Sequence, residues 1–278
     1  MRVFLALLFV AAAPIAAQQP SNSLPFLMPA TSQSVPDESR GYFELQVDAP
    51  LRIGEVRSAG YLTEGRNIAF GKVLGPTRPP QVSSTKSPAT FTRGASIAIE
   101  PPVGVTYQPG DTVVFAVRRP APDGWGEIVV PTGLARVLGR EGRQTLTTLL
   151  RTFGPVRRDQ DVYPLEAYTS RDGEKLVAVS GSASGSVIGK RDRRELISAG
   201  GYLFVDLGPA QGTRLGDFVE IRRTPSERLN ASDTIDERMA LGQVVHVGER
   251  SSTVRILKVI TPDIPAGSRV IRVATLPG

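Results

Sequence analysis

The sequence has no cysteine and a single histidine, His246. The absence of cysteine excludes disulfides, thiolate metal centres, thiol nucleophiles and lipid attachment through an N-terminal cysteine. One histidine leaves no multi-histidine metal site and little of the usual acid–base repertoire. Long helices are missing too: the stretch Leu134 to Leu150 is broken by Gly139 and Gly142. No cofactor and no metal is expected. What is present suffices for a packed chain. The 278 residues are 40% hydrophobic and 22% charged, which suits about two domains at roughly 150 residues each. The 28 glycines and 23 prolines point to many turns.

The N-terminus reads MRVFLALLFVAAAPIAAQQP. Arg2 supplies a basic start, Val3 to Ala13 an apolar run of eleven residues, and Ile15-Ala16-Ala17 a small-residue cleavage site. The run is far shorter than the roughly 20 residues of a spanning helix. Residues 1–17 therefore read as a secretory signal peptide. The chain is expected in the periplasm or extracellular envelope of a bacterium, with no transmembrane segment once mature. Residues 18–40, rich in Pro, Ser and Gln, read as a flexible leader.

The formal charge is +6, and the excess lies in arginine pairs and one denser run. The run is Lys190, Arg191, Arg193 and Arg194, with Arg222 and Arg223 second. These six residues are the candidate ligand-binding patch for an anionic envelope component. Nucleic acid is not expected for an exported chain whose basic residues lack interleaved aromatics.

Strand-like runs fill most of the remainder. They are Ala95 to Glu100, Thr112 to Val117, Glu127 to Val130, Thr145 to Leu150, Lys175 to Val179, Tyr202 to Leu207, Phe218 to Ile221, Gln243 to Val247, Thr253 to Ile260 and Arg269 to Val273. They are rich in Val, Ile, Leu and Thr and separated by Gly or Pro. Breaks fall at Ser83 to Pro88, about Pro164 to Glu174, and Pro225 to Arg238. An internal repeat relates two halves. GDTVVFAVRR from Gly110 matches GDFVEIRR from Gly216. From Val156 onward a constant offset of 108 pairs Val156 with Ile264, Asp159 with Gly267 and Val162 with Val270. The predicted fold is all-β: two small tandem β-barrel, SH3-like or β-sandwich domains, at 90–165 and 175–276, related by the repeat. Residues 41–82 form a β-rich segment of undecided status.

The order GYLFVDLG, LGDFVEIRR, MALGQVVHVGERSSTVRILKVITPDIPAGSRV, from Gly201 to Val270, resembles the tandem C-terminal β-domains of bacterial LysM-type envelope proteins. Ala95 to Leu165 resembles the preceding domain of the same proteins. A more distant similarity is to the SH3-like C-terminal domain of a flagellar outer-membrane-associated protein. The LysM module itself is missing from the sequence: Gly110-Asp111-Thr112-Val113-Val114 runs on as a strand of the repeat. The resemblance implies a β-fold and an envelope address, while the glycan-binding role of the missing module does not carry over.

Catalytic motifs are sparse. Gly181-Ser182-Ala183-Ser184-Gly185 has Ala where a nucleophile elbow needs Ser. Gly185-Ser186-Val187-Ile188-Gly189-Lys190 is one residue short of a phosphate loop and reads as a flexible turn before a basic edge. His246, between two valines, reads as a surface-facing strand residue. Asp159 with Asp161, and Asp236 with Glu237, are the acid pairs close enough in sequence to suggest glycoside cleavage. Trp125 sits in a turn, APDGWG, and is expected to pack over a barrel end rather than stack on a sugar. These readings favour a non-catalytic envelope protein with a binding or scaffolding role toward peptidoglycan or another anionic polymer. The competing reading is a carboxylate-based glycan hydrolase with its site between the β-domains.

Overall fold

The computed structural model describes residues 51–77, 90–168, 176–179, 183–223 and 237–276. The signal and leader (1–40), the break at Ser83 to Pro88, Gly181-Ser182 and Asp236 lie outside the described residues. Two seven-stranded antiparallel sheets make up the fold. The first holds β1 (Tyr61–Leu62), β2 (Gly71–Pro76), β3 (Ser96–Glu100), β4 (Thr112–Pro120), β5 (Glu127–Glu141), β6 (Gln144–Thr152) and β7 (Asp161–Pro164). The second holds β8 (Val177–Ala178), β9 (Ser184–Lys190), β10 (Tyr202–Val205), β11 (Phe218–Arg222), β12 (Arg238–Val247), β13 (Ser252–Val259) and β14 (Arg269–Thr275).

Each sheet closes on itself. The first runs β5-β4-β7-β2-β3-β6 and back to β5, with β1 appended to β5. The second runs β12-β11-β14-β9-β10-β13 and back to β12, with β8 appended to β14. Taken in chain order, the six ring strands of one barrel pair in the same sequence as those of the other. Closure leaves no long unpaired edge in either ring.

The repeat extends to individual hydrogen bonds. Gly110 and Gly216 adopt φ of 98° and 90°. Asp111 Oδ2 accepts the amide of Gln108 at 2.8 Å, as Asp217 Oδ2 accepts that of Arg214 at 2.9 Å. The two Gly-Asp steps are turns that start a strand, as the backbone argument requires. The offset of 108 also holds: the amides of Asp159 and Gly267 donate to the carbonyls of Val73 and Val187.

That last pair explains where the first barrel begins. β2 is the counterpart of β9, so the barrel starts at Gly71 rather than within the 90–165 span read from the repeat. Gly71 is required there, because a Cβ would collide with the Glu100 carbonyl and crowd the Pro101 backbone. Gly185 to Lys190, expected as a flexible turn, lies in the strand β9, held by β10 on one side and β14 on the other. Its glycines and serines hide the strand signal, yet Val187 and Ile188 are buried.

Each barrel has its own core. Val73, Ile97, Ile99, Val113, Phe115, Leu149 and Val162 fill the first. Leu203, Val205, Val219, Ile221, Met239, Val254, Ile256 and Ile264 fill the second. Each such side chain contributes on the order of 1.5–3 kcal/mol by leaving water.

Residues 51–66 fill the space between the barrels. The short helix α1 (Ile53–Ser58) and β1 pack on β5 and β12. Leu62, Ile128, Ile188 and Phe204 form one apolar cluster across the junction, and Leu51, Ala59, Tyr202 and Val245 form another. Polar bridges reinforce it. Thr253 Oγ1 donates to the Gly60 carbonyl at 2.8 Å, and Arg255 Nη2 pairs with Glu55 Oε1 at 3.0 Å. Trp125 packs into the first of these clusters, between the barrels, with the Arg250 guanidinium 5.0 Å from its ring centre.

Candidate functional site: a groove between the barrels

Two cavities, of about 240 and 500 Å³, open between the barrels and share one wall. The shared wall is Tyr61, Tyr163, Glu166, His246 and Val247. Tyr61 comes from β1, Tyr163 from β7, Glu166 from the segment after β7, and the last two from β12. The site is thus assembled from both barrels and the segment that joins them.

His246 reaches this wall because of a β-bulge. Val244 pairs with Val254 and His246 with Thr253, which leaves Val245 as the extra residue. Strict alternation would put His246 on the same face as Val244, inside the barrel. Instead Val245 packs on the inter-barrel cluster and Val247 on the barrel core, so the bulge turns His246 outward into the groove. The first barrel has the same bulge at Leu138, between the Val137–Thr147 and Gly139–Leu146 pairs. There the extra residue is exposed; in the second barrel α1 and Tyr168 cover it.

The rings form a compact array. Tyr61 stacks on His246 with centroids 5.0 Å apart and planes at 17°. Tyr163 meets Tyr61 edge-on at 6.0 Å, and Phe70 meets Tyr163 edge-on at 5.9 Å. Both tyrosines are only 8% exposed, yet neither hydroxyl makes a hydrogen bond among the described residues. Burial pushes both phenols well above their ordinary range, so each remains an O–H donor. His246 Nε2 stands 3.7 Å from Glu166 Oε2, an ion-pair distance when the imidazole is protonated. The imidazole beside it, opposed by partial burial, holds the Glu166 carboxyl below the ordinary range. Arg57 lines the smaller cavity, and Arg66 lines the larger, paired with Glu249 at 3.0 Å. Among the described residues these two arginines and two carboxylates balance, which leaves their lining near neutral.

The residues singled out from the sequence lie elsewhere, His246 excepted. Lys190 closes β9 and bonds the Glu195 carbonyl. Arg191 is built into the fold: Nη1 donates to the Ser58 carbonyl at 2.9 Å, Nη2 pairs with Asp192 at 2.9 Å, and the guanidinium lies 4.1 Å from the Tyr202 ring centre. Arg222 pairs with the buried Glu220 at 2.5 Å, and Arg223 with Glu237 at 2.8 Å. Arg193 and Arg194 are exposed and have no partner among the described residues. Pairing, rather than strand alternation, divides the patch. The acid pair that lies wholly within the described residues does not converge either. Asp159 is exposed, whereas Asp161 is buried against Arg118 at 2.8 Å and Lys72 at 2.7 Å. Burial would raise the Asp161 carboxyl, but these two cations outweigh it and hold it below the ordinary range.

Sequence reasoning missed Tyr61, Tyr163 and Glu166. They stand more than a hundred residues apart at the extremes, and no local spacing links them. The lone histidine was visible in the sequence, but the bulge that turns it into the groove shows only in the strand pairing.

No protein-family model matches the sequence, and no curated protein matches it. Among the described residues no helix is long and apolar enough to cross a membrane, and no three metal-ligating side chains cluster.

Proposed function

We propose that the protein is an exported, non-catalytic component of a bacterial cell envelope that binds or scaffolds a polar polymer through the inter-barrel groove. Peptidoglycan, by its neutral glycan strand, is the partner that suits the groove best. One observation carries this reading: Tyr61 and Tyr163, largely buried but with hydroxyls that make no hydrogen bond to the described residues, stand at the junction of two cavities whose described charges cancel. Hydroxyls that open onto a cavity and make no bond within the protein are free to donate to and accept from a ligand rich in hydroxyl and amide groups. Aromatic walls with a few polar groups suit such ligands. A glycan hydrolase would need two convergent acids, one with a raised pKa. Of the groove's carboxylates, Glu166 is held low and Glu249 is bound to Arg66, which favours binding over cleavage.

The test is co-sedimentation of the purified protein with peptidoglycan sacculi across a salt series. Binding through a neutral groove persists as salt rises, and falls at least several-fold in a Tyr61→Phe/Tyr163→Phe double variant that keeps both rings. Binding that vanishes with salt and is indifferent to the tyrosines would return the role to the basic residues. Release of soluble muropeptides would overturn the non-catalytic reading.

A further inference from the structure

The β3–β4 connection and the β5–β6 hairpin enclose a third cavity, of about 250 Å³. Pro102 and Val105 line both this cavity and the larger part of the groove, and so divide the two. Glu100, Thr106, Tyr107, Arg140, Arg143 and Thr145 supply its polar lining. Tyr107 is 8% exposed and packs on the core of the first barrel, with its hydroxyl buried and without a hydrogen-bond partner among the described residues. Burial, aided by the charge of Asp111, pushes that hydroxyl up to about 12, so it stays a donor. Arg140 spends only Nε, on the Gly142 carbonyl at 2.9 Å. Arg143 has no partner among the described residues. Against these donors Glu100 is the sole acid on the wall among the described residues, which gives their lining a net positive charge.

This lining offers an excess of charged donors over charged acceptors, with two guanidinium groups and one phenol around the same cavity. A guanidinium pairs side-on with the two oxygens of a carboxylate or phosphate and adds geometric selectivity to charge. We propose that the cavity is an oxyanion site, in which Arg140 and Arg143 pair with a carboxylate or phosphate-monoester group and the Tyr107 hydroxyl donates to it. The site is separate from the groove and does not depend on the function read there.

Titration calorimetry of the purified protein with sodium phosphate and with sodium acetate tests the site, with sodium chloride at matched ionic strength as reference. A saturable response to either anion beyond the chloride reference is expected. A tighter response to phosphate assigns a phosphate monoester, and a tighter response to acetate assigns a carboxylate. Arg140→Gln/Arg143→Gln changes only exposed side chains and is expected to weaken binding at least tenfold. Tyr107→Phe keeps the ring and is expected to weaken it several-fold. A response no greater than that to chloride overturns the proposal. So does an affinity unchanged in the double arginine variant, or one unchanged by Tyr107→Phe, since the latter leaves only an ordinary surface arginine pair.

Discussion

Glu64 and Ser251 are joined across the two barrels: the Ser251 hydroxyl donates to Glu64 Oε1 at 2.6 Å, and the Ser251 amide to the same oxygen at 2.9 Å. The amides of Glu249 and Arg250 add bonds at 3.2 and 3.1 Å. Successive amides that converge on one carboxylate form an anion nest, here in the β12–β13 turn and filled by a residue of the first half of the chain. Glu64 holds a φ of 56°, unusual for a residue other than glycine, to reach it. Tyr61 on one side of this contact and Gly248 and Glu249 on the other line the groove. The contact therefore fixes the groove's width.

Replacing Glu64 by Gln keeps the shape but removes the charge and sets an amide NH₂ against N–H donors. Hydrogen bonds to a charged group contribute about 1.5–3 kcal/mol, so a loss of about 2 kcal/mol is expected in chemical denaturation. The pH dependence follows from the carboxyl's environment. Burial would raise it, but the Ser251 hydroxyl and the backbone amides hold it below its ordinary 4.5. Its stabilising contribution is then complete above that ordinary value and is lost as pH falls through the lower folded one. Glu64→Gln should flatten this acid limb. An identical acid limb in both proteins would remove Glu64 from the account.

Gly248 makes room for the same carboxylate, because a Cβ there would collide with Glu64 Oε1. Gly248→Ala is expected to cost about 1–3 kcal/mol, the range for forcing atoms into a filled space. The two substitutions act on one contact, so Glu64→Gln/Gly248→Ala should cost less than the sum of its parts. Full additivity in the double-mutant cycle would place the glycine's effect elsewhere.

The repeat was legible in the sequence because its carriers are turns. Gly110-Asp111 and Gly216-Asp217 must bend the chain, and few residue pairs do this. β2 and β9 were illegible because their glycines serve neighbours rather than the strand itself. Gly185 admits the Asp206 carboxylate, which accepts the Ser186 hydroxyl at 2.7 Å. The groove was illegible for another reason. Tyr61, Tyr163 and His246 meet only when two barrels dock, and the residues that bring them together, 51–66, carry no motif of their own.

The basic run contains two kinds of arginine, and substitution should separate them. Arg191 ties the Ser58 carbonyl to the second barrel and covers Tyr202, so Arg191→Gln is expected to lower stability by about 1–2 kcal/mol through the lost bond and cation–π contact. Arg193→Gln/Arg194→Gln should leave the thermal midpoint within error. If an anionic partner uses this surface, its low-salt binding falls in the second variant and not in proportion to stability. A large loss of midpoint in the second variant would show that these two side chains are also built into the fold.

Asp159 tests the repeat at the level of one dihedral angle. Its φ is 65°, and its counterpart Gly267 has a φ of 90°. Both amides donate to matching carbonyls, Val73 at 2.8 Å and Val187 at 2.7 Å, so neither residue can relax without breaking its barrel's closure. Asp tolerates the left-handed region better than most residues, whereas glycine enters it freely but loses more entropy on folding. These effects oppose each other, and Asp159→Gly should change stability by less than about 1 kcal/mol. Asp159→Val has no such compensation: a β-branched side chain at positive φ meets its own backbone, and a loss of about 1–2 kcal/mol is expected. Urea unfolding of the two variants reads the difference directly. Equal stability for Gly and Val at this position would mean that the turn does not hold the left-handed angle that the repeat assigns to it.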